Sequence, residues 1–181
     1  GGRSIGPAIA RGVDPSRLMA ELLGRSSGTN KGKGGRGHIA DPASGFFGAH
    51  AVVGGNISIA AGVALALQMS GKDAVAAILF GDGAFGAGAL HETLNIAASM
   101  KLPLLFVCNN NQLSVSTPRS LALAPARLTD IGIAFGIPSQ TVDGMDLDAV
   151  SAAISSALAH VRAKKGPAFV ECISYRFASH S

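Results

Sequence analysis

A single carboxylate set between glycines, Asp82 in GDG, stands about thirty positions before three consecutive carboxamides, Asn109–Asn111. One carboxylate, several amide oxygens and glycines that let a ligand approach the backbone suit a hard cation bridging to a phosphate. Magnesium prefers such oxygen ligands, a few from protein and the rest from phosphate and water. The flanking residues say how the two groups would meet. Ala74–Phe80 and Leu102–Cys108 are apolar runs of the length of a buried strand, and each ends in polar residues. Between them Leu90, Leu94, Ala97 and Ala98 recur at helical spacing, so the stretch predicts strand, turn, helix, strand. A right-handed crossover of that kind makes the strands parallel, with both C-terminal ends on one edge. Open α/β sheets bind ligands at that edge.

The rest of the composition narrows the class. At 181 residues the length predicts one domain over 1–181, large enough for a real core. Hydrophobic residues are 48% and charged residues 14%, which excludes a disordered chain. The net charge of +4 comes with only 5% aromatics and no Trp, so a base-stacking nucleic-acid surface is not expected. No stretch approaches the ~18 continuous apolar residues of a membrane span. Cys108 and Cys172 both fall in predicted strands and read as small buried residues of a reducing compartment. The chain opens mid-motif at GGRS and stops at SHS, as a fragment truncated at both ends would.

Further elements follow from local signals. Asp14-Pro15 predicts a helix start, Leu18, Leu22 and Leu23 its apolar face, and Gly24 its end. GTNKGKGGRGH must be a loop. IAAGVALALQM predicts a helix of small residues packed closely on the sheet. Leu121–Arg127 is a Pro/Ala-rich connection, and IAFGIPSQTVDG predicts a strand and a turn. From Asp146 onward, Leu147, Val150, Ile154, Leu158 and Val161 predict an amphipathic helix, and PAFVECISY a further strand. The fold class expected is α/β, a mostly parallel sheet flanked by helices.

The GDG and NN pair at this spacing resembles the thiamine-diphosphate motif. LMAELLGRSSGTNKGKGGRGH, HETLNIAASMKLP, TVDGMD and GPAFVECISYRFASHS extend the likeness over essentially the whole chain. Together they resemble the alpha subunit of thiamine-diphosphate-dependent 2-oxo acid dehydrogenases, the decarboxylating components that act on pyruvate, branched-chain 2-oxo acids or acetoin. The resemblance implies a thiamine-diphosphate-binding fold and decarboxylation of a small 2-oxo acid, pyruvate first, with the cofactor as electron sink. It implies Asp82, Asn111 and the Leu113 carbonyl as magnesium ligands, with Asn110 the alternative if the loop shifts by one. Gly83 and Ala84 would offer N–H groups to the diphosphate at the start of the following helix. Arg3 would contact the diphosphate, the backbones of Ala51 and Val53 the aminopyrimidine ring, and His180 the cofactor and substrate as a catalytic residue. His38 is a possible neighbour of the active site, and Ser181 matches a serine phosphorylated in some relatives.

The sequence departs from the family pattern at Gly2, Ile5, Arg36, Asn109 and Ala178. Partners implied are a beta subunit carrying the glutamate that faces the aminopyrimidine, in a heterotetramer of two alpha and two beta chains, and a lipoyl-bearing transacylase. The compartment implied is the cytoplasm of a bacterium, or the mitochondrial matrix in a eukaryote. Other readings are an acetoin dehydrogenase alpha subunit, a split transketolase-like subunit, and a catalytically degenerate paralogue.

Overall fold

The computed structural model describes residues 5–180. The chain gathers into two compact units, residues 1–56 and 57–181. In the first, α1 (Ile5–Ala10) and α2 (Pro15–Leu22) precede a long run of turns. The α2 N-cap is as expected: the Asp14 carboxylate accepts the Ser16 N–H at 2.8 Å, and Pro15 fills the first helical position. Gly24, at φ +67°, follows the helix in the left-handed conformation that glycine adopts without strain. The buried face differs from the expectation. Leu18 is buried, but Leu22 and Leu23 are exposed, and the helix's other buried side chain is Glu21. Glu21, three residues on from Leu18, lies on its buried face, whereas Leu22 closes the last turn of the helix and Leu23 is its C-cap, and both are left in solvent. Leu18 packs with Ala8, Val13 and Ile39 in a small core of its own.

The second unit is the predicted parallel sheet. After α3 (Ile57–Met69) come β1 (Ala76–Gly81), α4 (Gly88–Ser99) and β2 (Leu104–Asn110). The hairpin β3 (Leu113–Ser114) and β4 (Thr117–Pro118) leads to short helices α5 (Arg119–Ala122) and α6 (Thr129–Ala134). Then β5 (Ser139–Asp143), α7 (Leu147–Arg162) and β6 (Ala168–Ile173) complete it. The strands β1, β2, β6 and β5 lie side by side in that order, all parallel.

Helices cover the sheet on both faces. Leu90, Leu94 and Ala97 of α4 and Ile57, Ala61 and Ala64 of α3 pack with Phe80, Phe106 and Phe169 on one face. Ala153, Ala157 and Val161 of α7 pack with Leu105, Val170 and Cys172 on the other. Alternate residues of the central strands β2 and β6 therefore serve opposite cores, whereas β1 buries one face and leaves Ala77 and Leu79 exposed.

Three local expectations are corrected. Ile133 and Ala134 end α6 and are not strand, because Gly136, at φ +71°, breaks the chain before β5 begins at Ser139. Leu121 and Ala122 form the short α5 within the predicted connection. Leu147, the first residue of α7, is exposed, whereas Val161 is buried as expected and Val150, Ile154 and Leu158 pack partly buried beside the buried Ala153 and Ala157.

Candidate functional site

At the C-terminal edge of the sheet, β1 and β2 end side by side, with Gly81 paired to Asn109. Asp82 follows directly and is buried at 2% exposure. The residues after it form a five-residue 3₁₀ turn, Asp82–Gly86, and the α-helix begins only at Gly88. Gly83 and Ala84 thus lie in that turn and not at the start of the α-helix, a correction to the sequence expectation. His91 of α4 reaches back to the turn, its Nε2 2.9 Å from the Phe85 carbonyl. Gly83 faces the loop after β2 so closely that a Cβ there would stand 2.5 Å from Ser114 Oγ. A side chain at position 83 would have to displace the Ser114 hydroxyl, so glycine lets the Asp82 turn lie against the segment that carries Asn111 and Leu113.

The three asparagines are sorted by their partners. Asn109 is exposed, and its Oδ1 accepts the Ser174 hydroxyl. Asn110, 2% exposed, is engaged at both ends of its amide: Nδ2 donates to Glu171 Oε1 at 2.6 Å, and Oδ1 accepts the Gln112 N–H at 3.0 Å. Asn111 is buried, and its Oδ1 accepts the Leu113 N–H at 3.0 Å. An amide oxygen carries two lone pairs, so Asn111 Oδ1 keeps acceptor capacity for a cation. Gln112 sits at φ +61°, which turns the chain sharply between Asn111 and Leu113, and its carbonyl accepts the Arg119 N–H at 2.9 Å.

Beyond Leu113 the hairpin turns through Val115 at φ +57°. A β-branched residue is strained there by about 1–2 kcal/mol. Arg176 holds the turn, its Nη2 donating to the Val115 carbonyl at 2.7 Å. Replacing Val115 by Gly is expected to stabilise the chain by about 1 kcal/mol, read as a rise in denaturation midpoint. His180 is exposed, its Nδ1 3.4 Å from Arg176 Nη1, so Arg176 connects the His180 segment to the hairpin.

Charge at this edge is concentrated. Glu171, 2% exposed on β6, also accepts the Thr141 hydroxyl at Oε2, 2.9 Å. Burial, then the Glu171 and Asp82 carboxylates, push the Cys108 thiol well up. Burial, then Glu171, raise Cys172 as well. Both cysteines are therefore protonated packing groups, as the sequence suggested, and neither is disulfide-bonded.

The donors suit the ion expected of them. Among the described residues no three His, Cys, Asp or Glu side chains gather, so the nitrogen and sulfur sets typical of zinc are absent there. A buried carboxylate, a buried carboxamide and the Leu113 carbonyl are all hard oxygens, the preference of magnesium. Asp82, Gly83, Asn111 and Leu113 are thus brought to one sheet edge.

In the first unit, Ala51 and Val53 are exposed, and Ala51 stays outside the left-handed region, so alanine costs nothing there. His38 stands edge-on to His50, with ring centroids 5.3 Å apart. His50 Nδ1 accepts the Val52 N–H at 3.1 Å, which puts the proton of the neutral ring on Nε2. Arg3 and Ser181 lie outside the described residues.

Three residues the sequence reading passed over are Glu21, His50 and Glu171. The available signal for Glu171 was a lone acid inside an otherwise apolar strand, AFVECI. Glu21 had none, because a single glutamate on a helix is ordinary.

Comparison with known proteins identifies the family. The family model described as dehydrogenase E1 component matches residues 3–181. The pyruvate dehydrogenase E1 component subunit alpha of Rhizobium meliloti is 41% identical over all of this chain and 52% of its own length. The alpha subunit of acetoin:2,6-dichlorophenolindophenol oxidoreductase of Bacillus subtilis is also 41% identical, over 98% of this chain and 54% of its own. The chain thus spans about half the length of the curated relatives it matches. A crystal structure from Mycobacterium smegmatis, assigned as a thiamin diphosphate-dependent enzyme, superposes with a TM-score of 0.60 at 25% identity. That match covers 74% of this chain and 25% of the other.

Proposed function

We propose that this chain, which belongs to the dehydrogenase E1 component family, is part of the alpha subunit of a thiamine-diphosphate-dependent 2-oxo acid dehydrogenase. The observation that carries the reading is the sheet edge itself, where buried Asp82 and buried Asn111 directly follow adjacent strands, with Gly83 close against Ser114.

Asp82 Oδ, Asn111 Oδ1 and the Leu113 carbonyl would hold Mg2+, and the ion would fix the diphosphate in place. When bound, thiamine diphosphate supplies the electron sink for loss of carbon dioxide from a 2-oxo acid. The chain's own work is to anchor and orient. Gly83 and Ala84 present the backbone of the 3₁₀ turn to the diphosphate, and Arg3 adds a cation. Ala51 and Val53 offer backbone groups to the aminopyrimidine ring. His180, on the Arg176-linked segment, would face the cofactor and substrate as the catalytic histidine.

Two relatives in the comparison are named as alpha subunits, which supports a beta subunit as partner. We propose the two-alpha, two-beta heterotetramer, with the beta chain supplying the glutamate beside the aminopyrimidine and a lipoyl-bearing transacylase taking the acyl group. Among the described residues no helix is long and apolar enough to cross a membrane. The reduced, buried cysteines suit the cytoplasm of a bacterium; a eukaryotic chain of this kind would work in the mitochondrial matrix.

Pyruvate is the first substrate proposed. Acetoin is the second reading, favoured by the equal identity to the acetoin oxidoreductase subunit. The test is dye reduction by the full-length protein co-purified with its beta partner, offered pyruvate, branched-chain 2-oxo acids and acetoin in turn. Turnover that requires both thiamine diphosphate and Mg2+ supports the reading, and the preferred compound names the substrate. Cofactor-independent reduction, or no cofactor binding at any concentration, overturns it.

A further inference from the structure

We propose that Glu171 is a positioning residue that selects which asparagine meets the metal, by holding Asn110 away from it. The inference rests on the magnesium reading above. In NNN the sequence is degenerate: a shift of one residue would present Asn110 in place of Asn111.

The degeneracy is broken across three strands. Glu171 Oε1 takes Asn110 Nδ2 from β2 at 2.6 Å, and Oε2 takes the Thr141 hydroxyl from β5 at 2.9 Å. Asn110 Oδ1 is then oriented to accept the Gln112 N–H at 3.0 Å, which sets the turn that follows. The strand period places Asn110 on the face of Cys108 and Phe106, toward the core, and Asn109 on the opposite face. Asn111 is the next residue along, past the end of the strand, where its oxygen caps the turn to Leu113.

Stability alone does not account for Glu171. A buried carboxylate is costly to desolvate, and replacing buried ionic groups by apolar residues of similar volume is often neutral or stabilising. Among the described residues the ion pairs are Arg17–Asp41 and Arg127–Asp130, and Glu171 takes part in neither. It is held by neutral donors only, and the one on β2 is the asparagine next to the metal-facing one. What Glu171 does for the fold is to fix Asn110, and with it the register of the loop.

The experiment titrates Mg2+ into the full-length alpha–beta complex with thiamine diphosphate, reading binding by calorimetry and stability by thermal melting. Glu171→Met removes the acceptor at similar volume and is expected to raise half-saturating Mg2+ at least about tenfold, as loss of an outer-shell partner does. Glu171→Gln can still accept from Asn110 and donate to Thr141, and is expected to stay within about threefold. Combining Glu171→Met with Asn110→Ala should weaken binding no more than Asn110→Ala does, because both act through one contact.

A Glu171→Met protein that melts lower but keeps its Mg2+ dependence overturns the proposal. So does a Glu171→Gln protein as impaired as Glu171→Met, or a double variant whose losses add. Asn111→Ala separates the two readings. If it binds as the wild type does, the metal site itself is wrong. If it loses binding while Glu171→Met does not, only the selecting role of Glu171 fails.

Discussion

Asp82→Ala in the full-length alpha–beta complex is expected to weaken Mg2+-dependent binding of thiamine diphosphate by at least about 100-fold, beyond the 10–100-fold typical of outer-shell partners. Turnover should fall with it at any accessible cofactor concentration. The reason is that Asp82 is the only ionised side chain in the proposed donor set; Asn111 and Leu113 contribute neutral oxygens. Without it the protein offers the magnesium–diphosphate pair only neutral oxygens, which compete poorly with water for the ion. The fold should survive, because Asp82 follows β1 and none of the parallel ladder runs through it. Removing a buried carboxylate also relieves a desolvation cost. An Asp82→Ala complex that melts no lower than the wild type yet fails to bind cofactor would bear this out. Unchanged cofactor affinity and turnover would remove the central element of the functional reading.

The second large effect is expected at Glu21, far from that edge in sequence. Glu21 is wholly buried, and its two oxygens accept four backbone N–H groups: Asn30 and Gly32 at Oε2, 2.7 and 2.8 Å, and Gly34 and Gly35 at Oε1, 2.6 and 3.0 Å. The glycine-rich basic run is thus wrapped around an anion supplied by the chain itself. Gly28 also lies so close to Glu21 that a Cβ there would meet its backbone at 2.6 Å. Burial raises the Glu21 pKa, but the four amide donors outweigh it, and the net pKa is lowered.

Glu21→Gln keeps the shape but turns an NH2 group toward two of the four donors. The expected loss is about 3 kcal/mol, on the scale of two hydrogen bonds to a charged group. Tryptic cleavage after Lys31, Lys33 or Arg36 should accelerate about tenfold or more as the loop opens, in proportion to the open population. The sign of the pH dependence follows from the lowered pKa. The contribution of Glu21 is fully present above the ordinary glutamate value, about 4.3, and is lost as the pH falls through the folded value. The gap between wild type and Glu21→Gln should therefore be constant near neutrality and close below about pH 4. A gap that widened in acid, or a loop no more cleavable in Glu21→Gln, would refute the role.

Much of this protein is written locally in its sequence. Apolar runs of strand length, a helical repeat at Leu90, Leu94 and Ala97, and the Asp14-Pro15 start specify elements through interactions a few residues apart. The parallel sheet follows from them, since a crossover helix leaves few other arrangements. Asp82 and the asparagine cluster could be assigned to one ligand-binding edge on the same grounds.

What the sequence did not contain was the choice among chemically equal candidates. Nothing local distinguishes Asn110 from Asn111; the distinction is made by Glu171, 61 residues from Asn110 in the chain and adjacent only once β6 lies beside β2. Likewise Glu21 resembles any surface glutamate until the loop over residues 28–35 closes on its carboxylate. The exposure of Leu22, Leu23 and Leu147 was misread for a related reason: helical periodicity identifies a face, but which side of it is covered depends on what packs there. The strands of the parallel sheet, the helices α2, α3, α4 and α7, and the oxygen donors at the sheet edge were legible in the sequence; the short elements α1, α5, α6 and the β3–β4 hairpin were not. The register of the NNN segment and the use of the two buried glutamates were decided by tertiary structure, because a buried polar group is defined by partners that only the folded chain brings within reach.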